Sequence, residues 1–375
     1  MLGLLVGGLI QLVGMGNAQA ADAATIRTSL ATPVLNDTGL RLCLESDDVT
    51  ETDQCSDSGQ DAATGRDVAY DDDSDGKGGF AFVKVGLKGR ELARAAPQWA
   101  CVKDQVTGLL WEVKTDDGGM RDYHWRYTNH GDKRFGDASS FVDAVNAEGL
   151  CGRSSWRLPT RQELQSVVDY GRASGTSAID LNWFPNTAYA YSWTSTSYVG
   201  ATQASWAVSF ERRVKVYFAK RHQNYAVRLV SGEAPPAPVY TFADDEVHDS
   251  STGLIWKRCS EGQVWTGTSC EGDLVLRLWG RAVEYAQARA SETGVPWRLP
   301  NPKEIASIID STRYGPTVDP VVFPNTPSLR FWTSSFDPGS TSGAFFANFQ
   351  HGGIADHDRH RYYPIRLVRD AVAAR

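Results

Sequence analysis

Apolar positions along this chain follow two periodicities, and each occurs twice. Ala138, Phe141, Val142 and Val145 recur at three- and four-residue spacing, which places them on one face of a helix. Asp137 is positioned to cap that helix, which ends near Gly149. Ala282, Tyr285 and Ala286 do the same job in the second half. Leu164, Val167 and Val168 predict another helix, and Ile305, Ile308 and Ile309 predict its counterpart. Thr160 with Glu163, and Asn301 with Glu304, have capping-box spacing, and the prolines before them stop each helix from extending backward. Alternation by two marks the strands. Val214, Val216 and Phe218 alternate with Arg213, Lys215 and Tyr217, so a strand there buries one set and presents a basic, aromatic face. A strand is also predicted at Phe80–Val85.

The pattern repeats because the sequence repeats. TGLLW at Thr107–Trp111 returns as TGLIW at Thr252–Trp256. WRLP occurs at Trp156–Pro159 and Trp297–Pro300, and FPNT at Phe184–Thr187 and Phe323–Thr326. WTS begins at Trp193 and at Trp332, and VRLV at Val227 is matched by IRLV at Ile365. The order and near-constant offset indicate a duplicated domain rather than a short solenoid unit. Two helices followed by short strands and long loops read as an α+β module. The expected organisation is a secretory signal at 1–20, an acidic strand-containing segment at 21–97, module one at 98–232, a Pro-rich linker at 233–239 and module two at 240–370. Whether the modules pack as a pseudo-twofold or hang apart on the linker is left open by the pattern, as is the oligomeric state.

Composition narrows the class. With 375 residues, 41% hydrophobic and 11% aromatic, the chain can fill real cores. A net charge of -7 argues against a general nucleic-acid binder. Six cysteines agree with an oxidising compartment. Aligning the repeats sets Cys101 opposite Glu246 and Cys151 opposite Glu292, so module two lacks both together. The expected bonds are Cys43–Cys55, Cys101–Cys151 and Cys259–Cys270. Closing a loop of about 50 residues through Cys101–Cys151 gives about 4 kcal/mol in the chain-entropy model. A reactive or metal-binding thiol is the rival reading, and no CxxC supports it.

The motifs TGLxW, WRLPTxxEL, FPNT, WTS and VRLV together resemble the Lcl C-terminal domain family, a bacterial family named from a collagen-like surface adhesin. The resemblance covers roughly 98–370, with Asn301 replacing the Thr of the pattern in module two. More distantly the modules resemble the C-type-lectin-like fold, including its formylglycine-generating-enzyme branch. That likeness implies two tandem modules, each with a short twisted antiparallel sheet and a binding surface on long loops near its C-terminal half. Members of that wide class bind glycans or proteins.

Three features carry candidate chemistry. Arg213, Lys215, Tyr217, Lys220, Arg221 and His222 in module one, and Arg359, His360 and Arg361 in module two, form basic strips before each closing strand. Arg and Lys can engage sulfate or carboxylate, with Tyr217, Tyr362 and Tyr363 available for stacking, so an anionic glycan is the expected ligand. The bland reading is a sheet edge blunted by charge. Asp71, Asp73, Asp75 and Gly76 match the opening of a calcium loop, although Phe82 stands where the bidentate Glu belongs, so calcium is a possible cofactor at most. His357 and His360 have metal-ligand spacing within a His-rich loop that is more simply polar. The paired tryptophans Trp111/Trp256, Trp156/Trp297 and Trp193/Trp332, and Trp206 opposite Phe345, read as core. Arg157 and Arg298 are expected to hold backbone carbonyls.

No G-x-S-x-G, H-E-x-x-H or P-loop is present. The expectation is therefore a secreted or surface-exposed, non-catalytic adhesin-type protein for acidic or sulfated glycans. One alternative is protein–protein recognition through the C-terminal loops. The other is an oxidoreductase of the formylglycine type, which would require a reactive thiol pair.

Overall fold

A computed structural model describes residues 35–45, 50–69, 73–172, 176–211, 214–235 and 237–371. The signal expected at 1–20, and the positions of Asp71, Arg213 and Pro236, lie outside the described residues.

The N-terminal segment contributes β1 (Cys43–Leu44), β2 (Glu51–Thr52), the short α1 (Arg66–Ala69) and β3 (Phe82–Val85). Module one follows with β4 (Cys101–Asp104), β5 (Leu110–Glu112), α2 (Ala138–Glu148), α3 (Arg161–Ser166), β6 (Tyr191–Ser197), β7 (Ala204–Ser209), β8 (Val216–Lys220) and β9 (Val230–Ser231). Module two contains β10 (Tyr240–Ala243), β11 (Glu246–Asp249), β12 (Leu254–Lys257), the hairpin β13 (Val264–Trp265) and β14 (Cys270–Glu271), α4 (Trp279–Thr293), α5 (Pro302–Ser307), β15 (Arg330–Phe336), β16 (Gly343–Asn348), β17 (Ile354–Asp358) and β18 (Val368–Asp370). Each module is thus mixed helix and antiparallel sheet. Among the described residues no helix is long and apolar enough to cross a membrane.

The duplication is visible in the sheets. One four-stranded sheet runs β3-β4-β5-β9 and its counterpart runs β10-β11-β12-β18. The N-terminal segment is therefore not a separate unit ahead of module one, because its β3 is the outer strand of module one's sheet. Phe80 and Phe82 enter the largest core, while Leu40 and Leu44 enter module two's core. Three disulfides join Cys43–Cys55, Cys101–Cys151 and Cys259–Cys270.

The modules do not hang on their linker. Their remaining strands form one six-stranded sheet, β15-β16-β17-β8-β7-β6, joined where Ile354 pairs with Val216. Those two residues occupy equivalent places in the repeat, so a local twofold passes between them. The second helices meet beneath this sheet. Both capping boxes form: Thr160 N donates to Glu163 Oε2 at 2.7 Å, and Asn301 N to Glu304 Oε2 at 2.8 Å. The apolar stripes they launch are fully buried at Leu164, Val168, Ile305 and Ile309. Across the contact Gln162 donates to the Ala306 carbonyl at 3.0 Å and Gln165 to the Pro302 carbonyl at 3.1 Å. Arg161 is 1% exposed, donates to Gly352 O at 2.6 Å and packs over Trp206. Lys303 donates to Ser166 O at 2.8 Å and to Asp37 O, tying both modules to the N-terminal segment.

Candidate ligand-binding surface

The repeated motifs interlock with one another and leave little for a ligand. Arg228 of VRLV donates to Glu112 O at 2.6 Å and to Thr187 of FPNT at 2.7 Å. Arg366 makes the same link to Thr326 at 2.7 Å and reaches the Lys257 carbonyl at 2.8 Å. Each guanidinium also lies over the Phe of its FPNT, at 5.2 Å and 4.8 Å. Burial pulls both below the ordinary arginine range, to about 10 for Arg228 and about 9 for Arg366. Trp111, Trp156, Trp193, Trp206, Trp256, Trp297 and Trp332 are all buried. Arg157 and Arg298 need a correction. Their main partners are not carbonyls but the capping glutamates, held bidentately at 2.7 and 2.6 Å to Glu163 and at 2.7 Å twice to Glu304. The carbonyl contacts of Arg157, to Leu158 and Gly232, are longer at 3.4 and 3.2 Å.

The basic strips divide into scaffold and surface. The alternation holds in part: Val214 and Val216 are buried and Tyr217 is 48% exposed, but Phe218 on β8 is only half-buried, like Lys215 before it. Lys220 and His222 are exposed, but Arg221 is committed, donating to Asn129 O at 2.9 Å and Ser197 Oγ at 2.8 Å. Backbone bonds identify its equivalent. Asn129 N donates to Arg221 O as Trp279 N donates to Arg359 O, and Arg221 N to Gln203 O as Arg359 N to Ser342 O. Arg221 therefore matches Arg359. Arg359 is 5% exposed, so it too belongs to the scaffold rather than to a contact surface. His360, Arg361 and Tyr362 are exposed, with His360 Nδ1 2.9 Å from Asp358 Oδ1. Aromatic shelves accompany both strips: Tyr225 lies 4.7 Å from Trp193, and Tyr363 4.6 Å from Trp332.

The strips lie at opposite ends of the joined sheet. From the Val216–Ile354 pair each strand runs away from the other for about five residues, which separates Arg221 from Arg359 by roughly 33 Å at about 3.3 Å per residue. In strand order β8 lies between β7 and β17, but it pairs with β17 only at Val216.

The other sequence candidates find individual partners. Asp73 Oδ2 accepts from Arg41 at 2.6 Å and its Oδ1 from Gly78 N at 3.3 Å, so a cation there would have to displace a guanidinium. Asp75 accepts Phe82 N through its carbonyl at 2.6 Å. His357 Nδ1 lies 3.2 Å from Tyr363 Oη, away from His360 and its aspartate. Among the described residues, the acidic and histidine ligand atoms that do converge, within 4.8 Å, belong to Asp116, Asp122 and His124. Backbone N–H groups of His124, Gly118 and Asp117 already occupy Asp122 and hold its carboxyl down at about 2.

Two cavities complete the surface. One of about 730 Å³ lies between the second helices and the linker, with Gln162, Gln165, Ser307 and Lys303 among its walls. Burial pulls the Lys303 ammonium down to about 7. The other, an open cleft of about 650 Å³, is lined by the N-terminal segment, Trp99 and the loop carrying Asp180–Trp183. It brings Lys77, Lys84 and Arg94 together with Trp99 and Trp183. Sequence reading missed it because its residues are scattered and share no motif spacing.

The geometry defines a class of protein: a fused pair of α+β modules whose repeated residues serve the scaffold and whose exposed chemistry lies between the motifs. The Lcl C-terminal domain model matches residues 100–231 and 245–369. The chain belongs to that family, in two tandem copies. No curated protein and no solved structure matches the chain.

Proposed function

We propose that this is an exported, non-catalytic recognition protein of adhesin type that binds acidic or sulfated glycans at two strips, one from each module. One strip presents Lys215, Tyr217, Lys220 and His222, and the other His360, Arg361 and Tyr362. The observation that carries the reading is that each module brings exposed basic and aromatic side chains to one fused sheet, although only His222 and His360 occupy equivalent positions in the repeat. Exposed cations attract sulfate and carboxylate, and the tyrosines add ring faces beside them. The two strips run out from the seam in opposite directions, which favours a polymer long enough to touch both. The mixed helix and short antiparallel sheet fits a C-type-lectin-like module, and three disulfides fit an oxidising compartment outside the cytosol. All six sulfurs are paired, which weighs against formylglycine-type oxidation, a chemistry that needs thiols.

A glycan array run with the mature protein at two salt concentrations tests the proposal. Salt-sensitive capture on sulfated or uronate glycans, reduced in Lys215→Ala and Lys220→Ala, supports it. A silent array with folded, fully oxidised protein overturns it and favours a protein partner for the tyrosine-rich face.

A further inference from the structure

The cavity beside module one has a charge imbalance that the fold itself does not resolve. Its walls carry two carboxylates and three cations, but both carboxylates are engaged by arginines. Asp73 is paired with Arg41 at 2.6 Å. Asp180 is paired with Arg172 at 3.0 Å and also accepts Asn182 N. Lys77, Lys84 and Arg94 make no ion pair among the described residues. Lys84 is the telling member, because it is only 9% exposed. Its ammonium donates to Ala96 O at 2.9 Å and sits 3.6 Å over the Trp99 ring. Burial together with nearby Arg94 depresses its pKa, the response of a cation that lacks an anion. Trp99 is fixed in turn, donating its indole N–H to Trp183 O at 2.8 Å.

The remaining wall suits a ring rather than a bare ion. Leu181 is 39% exposed at the rim, Trp99 is half-buried, and Asn182 offers an exposed amide. A volume of about 650 Å³ falls within the roughly 300–1,000 Å³ of small-ligand sites. Lys77, Lys84, Arg94 and Trp99 all precede the first repeat match at residue 100, so the site is an addition of the N-terminal segment.

We propose that this cavity binds a carboxylate-bearing sugar ring, with Lys77, Lys84 and Arg94 receiving the carboxylate and Trp99 and Leu181 the less polar ring face. The site is independent of the two strips and stands whether or not they bind glycan.

Titration of the full oxidised chain with free glucuronate, followed by tryptophan fluorescence and calorimetry, tests the proposal. Parallel titrations use glucose and inorganic sulfate. The expected result is saturable glucuronate binding at about millimolar concentration, with glucose and sulfate each weaker by about tenfold or more. Arg94→Gln and Lys77→Gln, both at solvent-accessible positions, reduce glucuronate binding by about tenfold, whereas Lys88→Gln, exposed and outside both the cavity and the strips, leaves it unchanged. Several results overturn the site: no binding of glucuronate, equal binding of glucose, equal binding of sulfate, or glucuronate affinity unaltered in Arg94→Gln and Lys77→Gln. Loss in Lys220→Gln alone would assign the binding to the strip and also overturn the cavity.

Discussion

Val216 lies opposite Ile354 at the centre of the six-stranded sheet, and each is the other's equivalent in the repeat. The strands of the two modules thereby form one six-stranded sheet. Both side chains are buried, at 1% and 0% exposure. The linker is not what holds the modules together.

Placing a charge at this seam should weaken both modules at once. Ile354→Asp is expected to cost about 3 kcal/mol or more, since the carboxylate has no partner in the core. Urea unfolding of the parent chain should show one transition. The variant should unfold earlier, and two separated transitions in the parent would show that the modules are energetically independent.

Arg228 and Arg366 each tie their own motif to FPNT and to the residue that follows TGLxW, so a lysine cannot replace the planar fork. Arg228→Lys is expected to destabilise by about 2–3 kcal/mol, from lost charge-assisted bonds to Glu112 O and Thr187. Exposed Arg361→Lys should stay within about 0.5 kcal/mol. Denaturant midpoints compare the two, and equal midpoints would remove the motif interlock from the account.

Stability should also respond to pH through Asp61. Burial, followed by the nearby Asp37 charge, raises its carboxyl from 3.8 to about 7, although Ser335 and Thr38 donate to it at 2.5 and 2.7 Å. The folded state therefore binds the proton more tightly than the unfolded chain. Its stabilising effect is full below about pH 4 and is lost as pH rises to about 7. Asp61→Asn should remove this fall, so the melting-temperature difference between variant and parent should shift in the variant's favour from pH 4 to 7. A difference that stays constant across that window contradicts the assignment.

Local signals read well from the sequence. Capping boxes at Thr160 and Asn301, the stripes after them, and the alternation through Val214 and Val216 each depend on neighbours a few residues apart. Non-local relations did not read. Arg161, Gln162 and Gln165 carry no apolar or motif signal, yet they form the contact with α5 and Gly352. Arg359 reads as surface charge, but its position beside α4 buries it. Nor does spacing announce that Lys84 from β3 and Arg94 would meet Trp183, because sheet pairing and loop return bring them together.

Two-point attachment is the central claim. Surface-plasmon titration of a long sulfated polysaccharide, beside a short oligosaccharide of the same unit, tests it most directly. Three variants are compared: Tyr217→Ala with Lys220→Ala, Arg361→Ala with Tyr362→Ala, and all four together. Either strip alone should retain the short ligand but lose about 100-fold on the polymer, and the fourfold variant should lose both. Equal polymer affinity in the parent and both single-strip variants would contradict the account.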